Sequence, residues 1–562
     1  MKEIKNIVRS RAQESSSAVE KLYITMRHLF NRGFYKPMGV SGETLREALL
    51  SLRPEIYGTI AEEKVELSGL LYVIERLPIG IEECRFINLT SDEGYSKSHF
   101  KAIVPPKRRR NCYRIDDEQM NIEITRGRSD IYDILTHLTF IFIESHKIKD
   151  RILVDESGEV TRDWQKLEQA VLQNKKLTLI DKEKTISHTA NILGRTFAEV
   201  LDIYDAFGTT EKPDRFLHII YWLGHLALQE LVDNNKRTIT FSPILRERLG
   251  HHIHGEIWAT NIKEVLKTND LLDRPIHIIS ANMHSVMNSV FATQVLKTKF
   301  KEQSDFFIYE ELSKSGAHDL RNKVEDFAKQ YGMISLPDFS GTNIDVQIFD
   351  TAKIDFKKSA FPSAKLDIAK PVIIVMDYAF GEQAYETIDE LLKPFKKGAN
   401  TLFLNVESVS IMGKAGILQG GKGDIMIPNA HINEGTADNY FFNNELTASM
   451  FAGNDIPVFA GPMVTVLGTS LQNKDLLKFF HESTWGAIGL EMEGAYYQKA
   501  IQSASKIRKS IHPDVKVRYA YYASDNPLET GSTLASGGLG TTGVKPTYLI
   551  TIKILEQIFN VK

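Results

Sequence analysis

Apolar positions recur at helical spacing through the first 265 residues and change rhythm after residue 270. Val19, Leu22, Tyr23, Met26, Leu29 and Phe30 share one helical face. Ser17-Ala18-Val19-Glu20 reads as the capping box of that helix, and Gly33 stands where it should stop. Residues 131–143 and 216–232 are apolar on most faces, the pattern of buried central helices. Asp155-Glu156-Ser157-Gly158 predicts a hairpin turn between short strands. From Thr268-Asn269-Asp270 onward, short apolar runs alternate with helical stretches. Residues 276–279, 305–308, 372–376 and 401–404 read as strands, and 284–297 and 382–395 as helices. This alternation predicts a layered α/β domain over 270–562, a mixed sheet flanked by helices, preceded by a mainly helical domain over 1–265. In such sheets ligands bind where strand ends meet the following loops.

Composition narrows the class. The 562 residues are 42% hydrophobic and 25% charged, with a formal net charge of −3, a balance that favours neither nucleic acid nor an anionic membrane as partner. Two cysteines, Cys84 and Cys112, make neither a disulfide framework nor a zinc-ligand pattern. Residues 1–11 lack the apolar core of a secretory signal, and the longest apolar runs carry Asp133, His137, His218 and His225, too polar for a membrane span. The expectation is a reduced, cytoplasmic protein. Two clusters weigh little: His251, His252 and His254 have no supporting carboxylate or cysteine and read as a helix-end or surface group. Lys107-Arg108-Arg109-Arg110 reads as a solvated loop.

Four segments of the C-terminal half carry chemistry. In Met376-Asp377-Tyr378-Ala379-Phe380-Gly381-Glu382 a strand runs into a glycine turn. In Ile411-Met412-Gly413-Lys414-Ala415-Gly416, followed by Gly423-Asp424-Ile425, small residues let a ligand approach the backbone. Gly489-Leu490-Glu491-Met492-Glu493-Gly494 sets two acids at the head of an apolar helix, pointing apart, so that one faces a pocket and the other finds a partner. A carboxylate facing a pocket is suited to accept from a vicinal diol. In Tyr522-Ala523-Ser524-Asp525-Asn526-Pro527 a strand delivers an acid into a loop, where partial desolvation favours a proton near neutral pH.

In order and spacing these segments resemble the purine nucleoside phosphorylase and nucleosidase superfamily, marked by a Gly-Ala-Gly or Gly-x-x-Gly stretch, then Gly-Asp-Ile-Val, Val-Glu-Met-Glu-Ala and Ser-Asp. The resemblance covers about 290 residues. Ser524-Asp525-Asn526-Pro527-Leu528, followed by a glycine-rich stretch and a final helix, is most similar to the AMP nucleosidase branch, which also has an extra N-terminal domain. The resemblance implies that Glu493 binds the ribose diol with Met492 packed on the sugar, and that Asp525, beside Ser524, is the acid at purine N7. It puts Gly413, Lys414 and Gly381 near the phosphate or the 5′ side of the sugar, and Thr469 by the base. It has the first strand opening onto Ser280, Asn282 and His284. Hexameric phosphorylases carry Asp and Arg after that strand, and methylthioadenosine nucleosidases a water-activating glutamate; positions 280–290 hold no carboxylate.

The implied activity is hydrolysis of the N-glycosidic bond of a purine nucleotide or nucleoside, without metal or organic cofactor, in a hexameric or dimer-based homo-oligomer. A phosphate-dependent phosphorylase is the alternative enzyme, and a catalytically silent nucleotide sensor the alternative of another class. The stretch from Gly531 to Gly543, with five glycines, is expected to be a mobile segment beside the pocket.

Overall fold

The computed structural model describes residues 10–561 except 156–157, 174–177, 210–211, 302, 367–368, 398–399, 437 and 531–539. Residues 156 and 157 of the expected hairpin turn and 531–539 of the glycine-rich stretch therefore lie outside the described residues. The chain separates into two compact units, one comprising residues up to Thr125, Asp130–Gly250 and Ser470–Leu476, the other Arg126–Ser129, His251–Thr469 and Leu477–Lys562.

The first unit is mainly helical, with a five-stranded sheet. Its opening helix, Arg11–Arg32, buries Ala18, Val19, Leu22, Tyr23, Met26, Leu29 and Phe30, the face read from the sequence. The capping box is not at Ser17: Ser10 and Gln13 form it, so the helix starts earlier, and Ser15 and Ala18 already lie on the buried face. Gly33 ends it at φ 89°, donating its N–H to Leu29 and Phe30 carbonyls. The two apolar runs lie in helices Arg128–Ile152 and Arg215–Val232. The Lys107–Arg110 loop is not simply solvated. The Arg110 guanidinium is buried against Asp130 and Asp133, and Arg108 grips Asp133 at 2.8 and 2.9 Å.

The second unit is a layered α/β structure. Ten strands build its main sheet: β1 (Ile276–Ser280), β2 (Met333–Leu336), β3 (Val346–Asp350), β4 (Val372–Met376), β5 (Val406–Ile417), β6 (Ile425–Asn433), β7 (Asn439–Phe441), β8 (Val458–Thr465), β9 (Gly489–Glu491) and β10 (Lys516–Asp525). β5, β1 and β4 run parallel, and β3 and β2 extend the sheet antiparallel. On the other side β5 pairs with both β9 and β10, β10 with β6, β6 with β8 and β8 with β9. These five strands close into a ring, which leaves none of them with a free edge. Four helices matter for the site: α1 (Ser285–Leu296), α2 (Gln383–Leu391), α3 (Gly494–Gln502) and α4 (Val544–Ile558). Two apolar cores flank the sheet: Ile278, Ile374 and Val409 point into one, and Ile279, Val375 and Met412 into the other, as alternation along buried strands requires.

One strand reading fails and another holds only in part. Residues 305–308 belong to a helix, Asp305–Ser313, because Ser304 caps it by accepting Phe307 N–H and the apolar positions continue as Ile308, Tyr309 and Leu312. Residues 401–404 contribute only to a two-stranded ribbon, Phe395–Lys397 with Asn400–Leu402, outside the main sheet. The strand that does lie at its centre is the twelve-residue β5, so Gly413 sits inside a strand, opposite Tyr521, rather than in a turn.

Candidate active site

β4 ends at Met376, and the following loop turns at Gly381, whose φ of 56° favours glycine. A Cβ there would also stand 2.2 Å from Ser129 Oγ. That serine accepts the Glu382 N–H at 2.9 Å, and the Gly381 N–H is left to donate to Glu493 Oε1 at 3.1 Å.

The two acids after β9 do point apart. Glu491 turns into the core, where it accepts from Thr465 Oγ1 and from the backbone N–H groups of Glu493 (2.5 Å) and Gly494. His431 Nδ1 lies 3.4 Å from Oε1, the oxygen that accepts from Thr465. Thr465 Oγ1 in turn accepts the Ala495 N–H, which fixes the start of α3. Glu493 is only half-buried and takes the Gly381 amide on Oε1 and its neighbour Met492 N–H on Oε2 at 3.3 Å. Burial, reinforced by the Glu491 charge, pushes its carboxyl up to about 8 against the pull of those two amides. Met492 is itself buried.

Asp525 closes β10. The Ser524 hydroxyl lies between the Ala415 carbonyl (3.0 Å) and Asp525 Oδ1 (2.5 Å). Asp525 Oδ2 is buried and has no hydrogen-bond partner among the described residues. Desolvation raises this carboxyl, opposed by Ser524 and by the charges of Lys414 and Lys422. Asn526 ties the loop down, donating to Gly420 O at 2.9 Å and accepting from Leu528 N–H at 3.0 Å.

Beside this lies a cavity of about 570 Å³ lined by Lys414, His284, Arg321, Asn282, Asn288 and Tyr522, together with the first residues of α4. Its described lining holds three basic side chains and no carboxylate. Asn282 Oδ1 caps α1 by accepting the N–H groups of His284 (3.1 Å) and Ser285 (2.8 Å). Asn288 donates to Tyr548 OH at 2.7 Å, while its buried Oδ1 has no hydrogen-bond partner among the described residues. Tyr378, from the β4 loop, hydrogen-bonds with Tyr522 and Asn282 and lies against Gly413, where an added Cβ would stand 3.3 Å from its ring.

The candidates thus fall into neighbourhoods. Glu493, Met492 and Gly381 form one, Asp525 and Ser524 a second, and Lys414, Asn282 and His284 line the cavity. Ser280 is fully buried and hydrogen-bonded to Tyr497 OH at 3.0 Å, and Thr469 opens a short turn after β8. His254 is no surface residue: it is buried, with Nδ1 2.7 Å from the Ser340 carbonyl. Among the described residues no His, Cys, Asp or Glu group is arranged to hold a metal, and no helix is long and apolar enough to cross a membrane. Arg321, Asn288, Tyr378 and Glu434 escape sequence reading. Arg321 sits in the first turn of the helix His318–Gln330, between β1 and β2, where a lone arginine reads as surface. Glu434 directly follows β6 with no partner acid nearby in sequence, and only a strand end followed by Glu-Gly hints at it.

A family of unknown function (DUF6909) matches residues 43–307 and again 292–560. No curated protein matches the chain. Among solved structures, the 5′-methylthioadenosine/S-adenosyl homocysteine nucleosidase of Campylobacter jejuni is 11% identical, covering 51% of this chain and 100% of its own with a TM-score of 0.31. The native futalosine hydrolase of Helicobacter pylori strain 26695 is 13% identical, covering 50% of this chain and 99% of its own (TM-score 0.28). A uridine phosphorylase of Schistosoma mansoni is 11% identical over 53% of this chain and 92% of its own (TM-score 0.30).

Proposed function

The chain belongs to this family of unknown function, and we propose that it cleaves the N-glycosidic bond of a purine nucleotide, AMP-like, releasing free base and ribose phosphate. The observation that carries the reading is the grouping of charge: a cavity whose described lining holds no carboxylate and three basic side chains, one of which, Lys414, also acts electrostatically on Asp525.

Cleavage of a ribosyl bond passes through an oxocarbenium-like state, so a site must neutralise the leaving base and hold a cationic sugar. Asp525 suits the first task. Its raised affinity for a proton and its unpartnered Oδ2 equip it to protonate the departing purine nitrogen. Glu493 suits the second. The Gly381 and Met492 amides orient its carboxyl toward the ribose hydroxyls, and positive charge developing on the sugar favours the ionised form of this otherwise protonated acid. Lys414 and Arg321 supply the charge that a 5′-phosphate requires, His284, held neutral by burial and by Arg321, offers an imidazole for hydrogen bonding, and small Gly413 leaves room beside Tyr378. Water is the attacking group in this reading.

The same basic cavity favours one rival, in which it holds inorganic phosphate as the attacking group and the enzyme is a phosphorylase. Incubating the protein with AMP, adenosine and inosine, with and without phosphate, and separating the free base by chromatography decides between them. Base release from AMP without phosphate is expected. Release only with added phosphate establishes the phosphorylase, and nucleotide binding without any release overturns both in favour of a sensor.

A further inference from the structure

Three parallel strands of the ring end at one level: Asn433 of β6 is the register partner of Thr465 in β8, and Thr465 that of Glu491 in β9. The residues just beyond these strand ends share one rim. β9 delivers Met492 and Glu493, β8 delivers the turn 466–469, and β6 delivers Glu434.

Glu434 extends the ladder with its own N–H, which donates to the Thr465 carbonyl at 3.0 Å. Its side chain then reaches past the end of β8 and accepts the Leu467 N–H at 3.1 Å. From the other flank the Val466 N–H donates to the Glu491 carbonyl at 2.7 Å. The turn is therefore clamped between Glu434 and the strand that presents Glu493. Glu434 is buried, at 7% exposure, and makes no ion pair among the described residues. Burial pushes its carboxyl up to about 7, with only the Leu467 amide opposing.

We propose that Glu434 is a positioning residue that fixes the 466–469 turn against the leaving base and so sets which base the site accepts. The proposal rests on the nucleotide-cleaving reading, in which this turn borders the base.

The test compares Glu434→Ala and Glu434→Gln in the full chain. It measures base release from AMP and inosine 5′-monophosphate, equilibrium binding of both nucleotides, and melting temperature. In Glu434→Ala, KM should rise about ten- to a hundredfold, the range of one lost charge-assisted hydrogen bond. The kcat/KM preference between the two nucleotides should collapse, and Glu434→Gln, whose amide oxygen still accepts from Leu467, should recover most of the KM. An alanine variant with unchanged KM and preference overturns the proposal. So does a uniform loss that tracks melting temperature and is not recovered by Gln. If the wild-type chain releases no base from either nucleotide, the cleavage reading fails on its own, and binding decides Glu434. A collapsed AMP-to-inosine-monophosphate binding ratio in Glu434→Ala then supports the clamp, and an unchanged ratio overturns it.

Discussion

Buried charge is arranged differently in the two units. In the first, Asp133 is gripped by Arg108 through two hydrogen bonds, shared with Arg110, and touched by His137 Nε2 at 3.3 Å, while Tyr57 OH meets His137 Nδ1 at 3.2 Å. Burial alone would raise the Asp133 carboxyl, yet Arg108 and His137 hold it well below the usual range. In the second unit, Glu493, Asp525 and Glu434 form no ion pair among the described residues, and burial pushes each of them up. The Asp133 cluster is compensated, with opposite charges locked in place. At its candidate site the second unit leaves these acids with raised proton affinity and sets Lys414 and Arg321 in a cavity whose described lining holds no carboxylate. Perturbed and unpaired acids beside a pocket are a functional signal; perturbed and paired ones belong to the scaffold.

The contrast breaks most visibly at Asp525. Asp525→Asn should lower kcat for base release by about 10²–10⁴ with little change in KM or melting temperature, because an amide donates a hydrogen bond but delivers no proton. Near-normal turnover would remove Asp525 from the chemistry. In the first unit the effect should fall on stability. Asp133→Ala leaves Arg108 without its partner and should cost about 3–5 kcal/mol in denaturant unfolding, and a loss below about 1 kcal/mol would show that the cluster is not a compensated anchor. Lys414→Ala should weaken AMP by about ten- to a hundredfold while adenosine changes little, the size of one charge-assisted contact. Equal losses for both would mean that Lys414 does not read the phosphate.

The smallest effect concerns pH. Glu493 holds its proton up to about pH 8 in the folded chain and loses it near 4.5 when unfolded. Between those values the native state binds the extra proton, so the Glu493 contribution to stability is complete at low pH and is lost as pH rises through about 8. Glu493→Gln cannot ionise. Its melting temperature should therefore gain on the wild type as pH is raised from about 4.5 to 8, by on the order of 1 kcal/mol given the water that reaches a half-buried group. A constant difference across that window would show that Glu493 is not held in a raised state.

Much of the fold is written in local pattern. The helical face of Arg11–Arg32, the Gly33 stop, and strands β1 and β4 with helices α1 and α2 after their loops all follow from periodicity and caps. The failures share a cause: a short apolar run such as 305–308 reads equally well as strand or helix, and only the Ser304 cap and the packing of Ile308, Tyr309 and Leu312 decide it. The opposed directions of Glu491 and Glu493 are legible because residues two apart at a tight turn or helix start project to different sides. Which of them the core claims is not, since that depends on Thr465 and His431, brought in from other strands.

By itself, then, the sequence determined a helical region followed by an alternating α/β region, and it marked the pair Glu491 and Glu493 and the strand-end acid Asp525, because periodicity, caps and paired acids are local properties of the chain. Tertiary structure alone decided that five strands close into a ring and that Arg321, from a helix between β1 and β2, lines the cavity with Lys414. It alone decided that Glu434 clamps the turn after β8 and that Arg108 and Arg110 are buried counter-ions rather than a solvated run. Each of these depends on residues far apart in the chain meeting in low dielectric, where burial and pairing, which no local spacing encodes, set what a charge does.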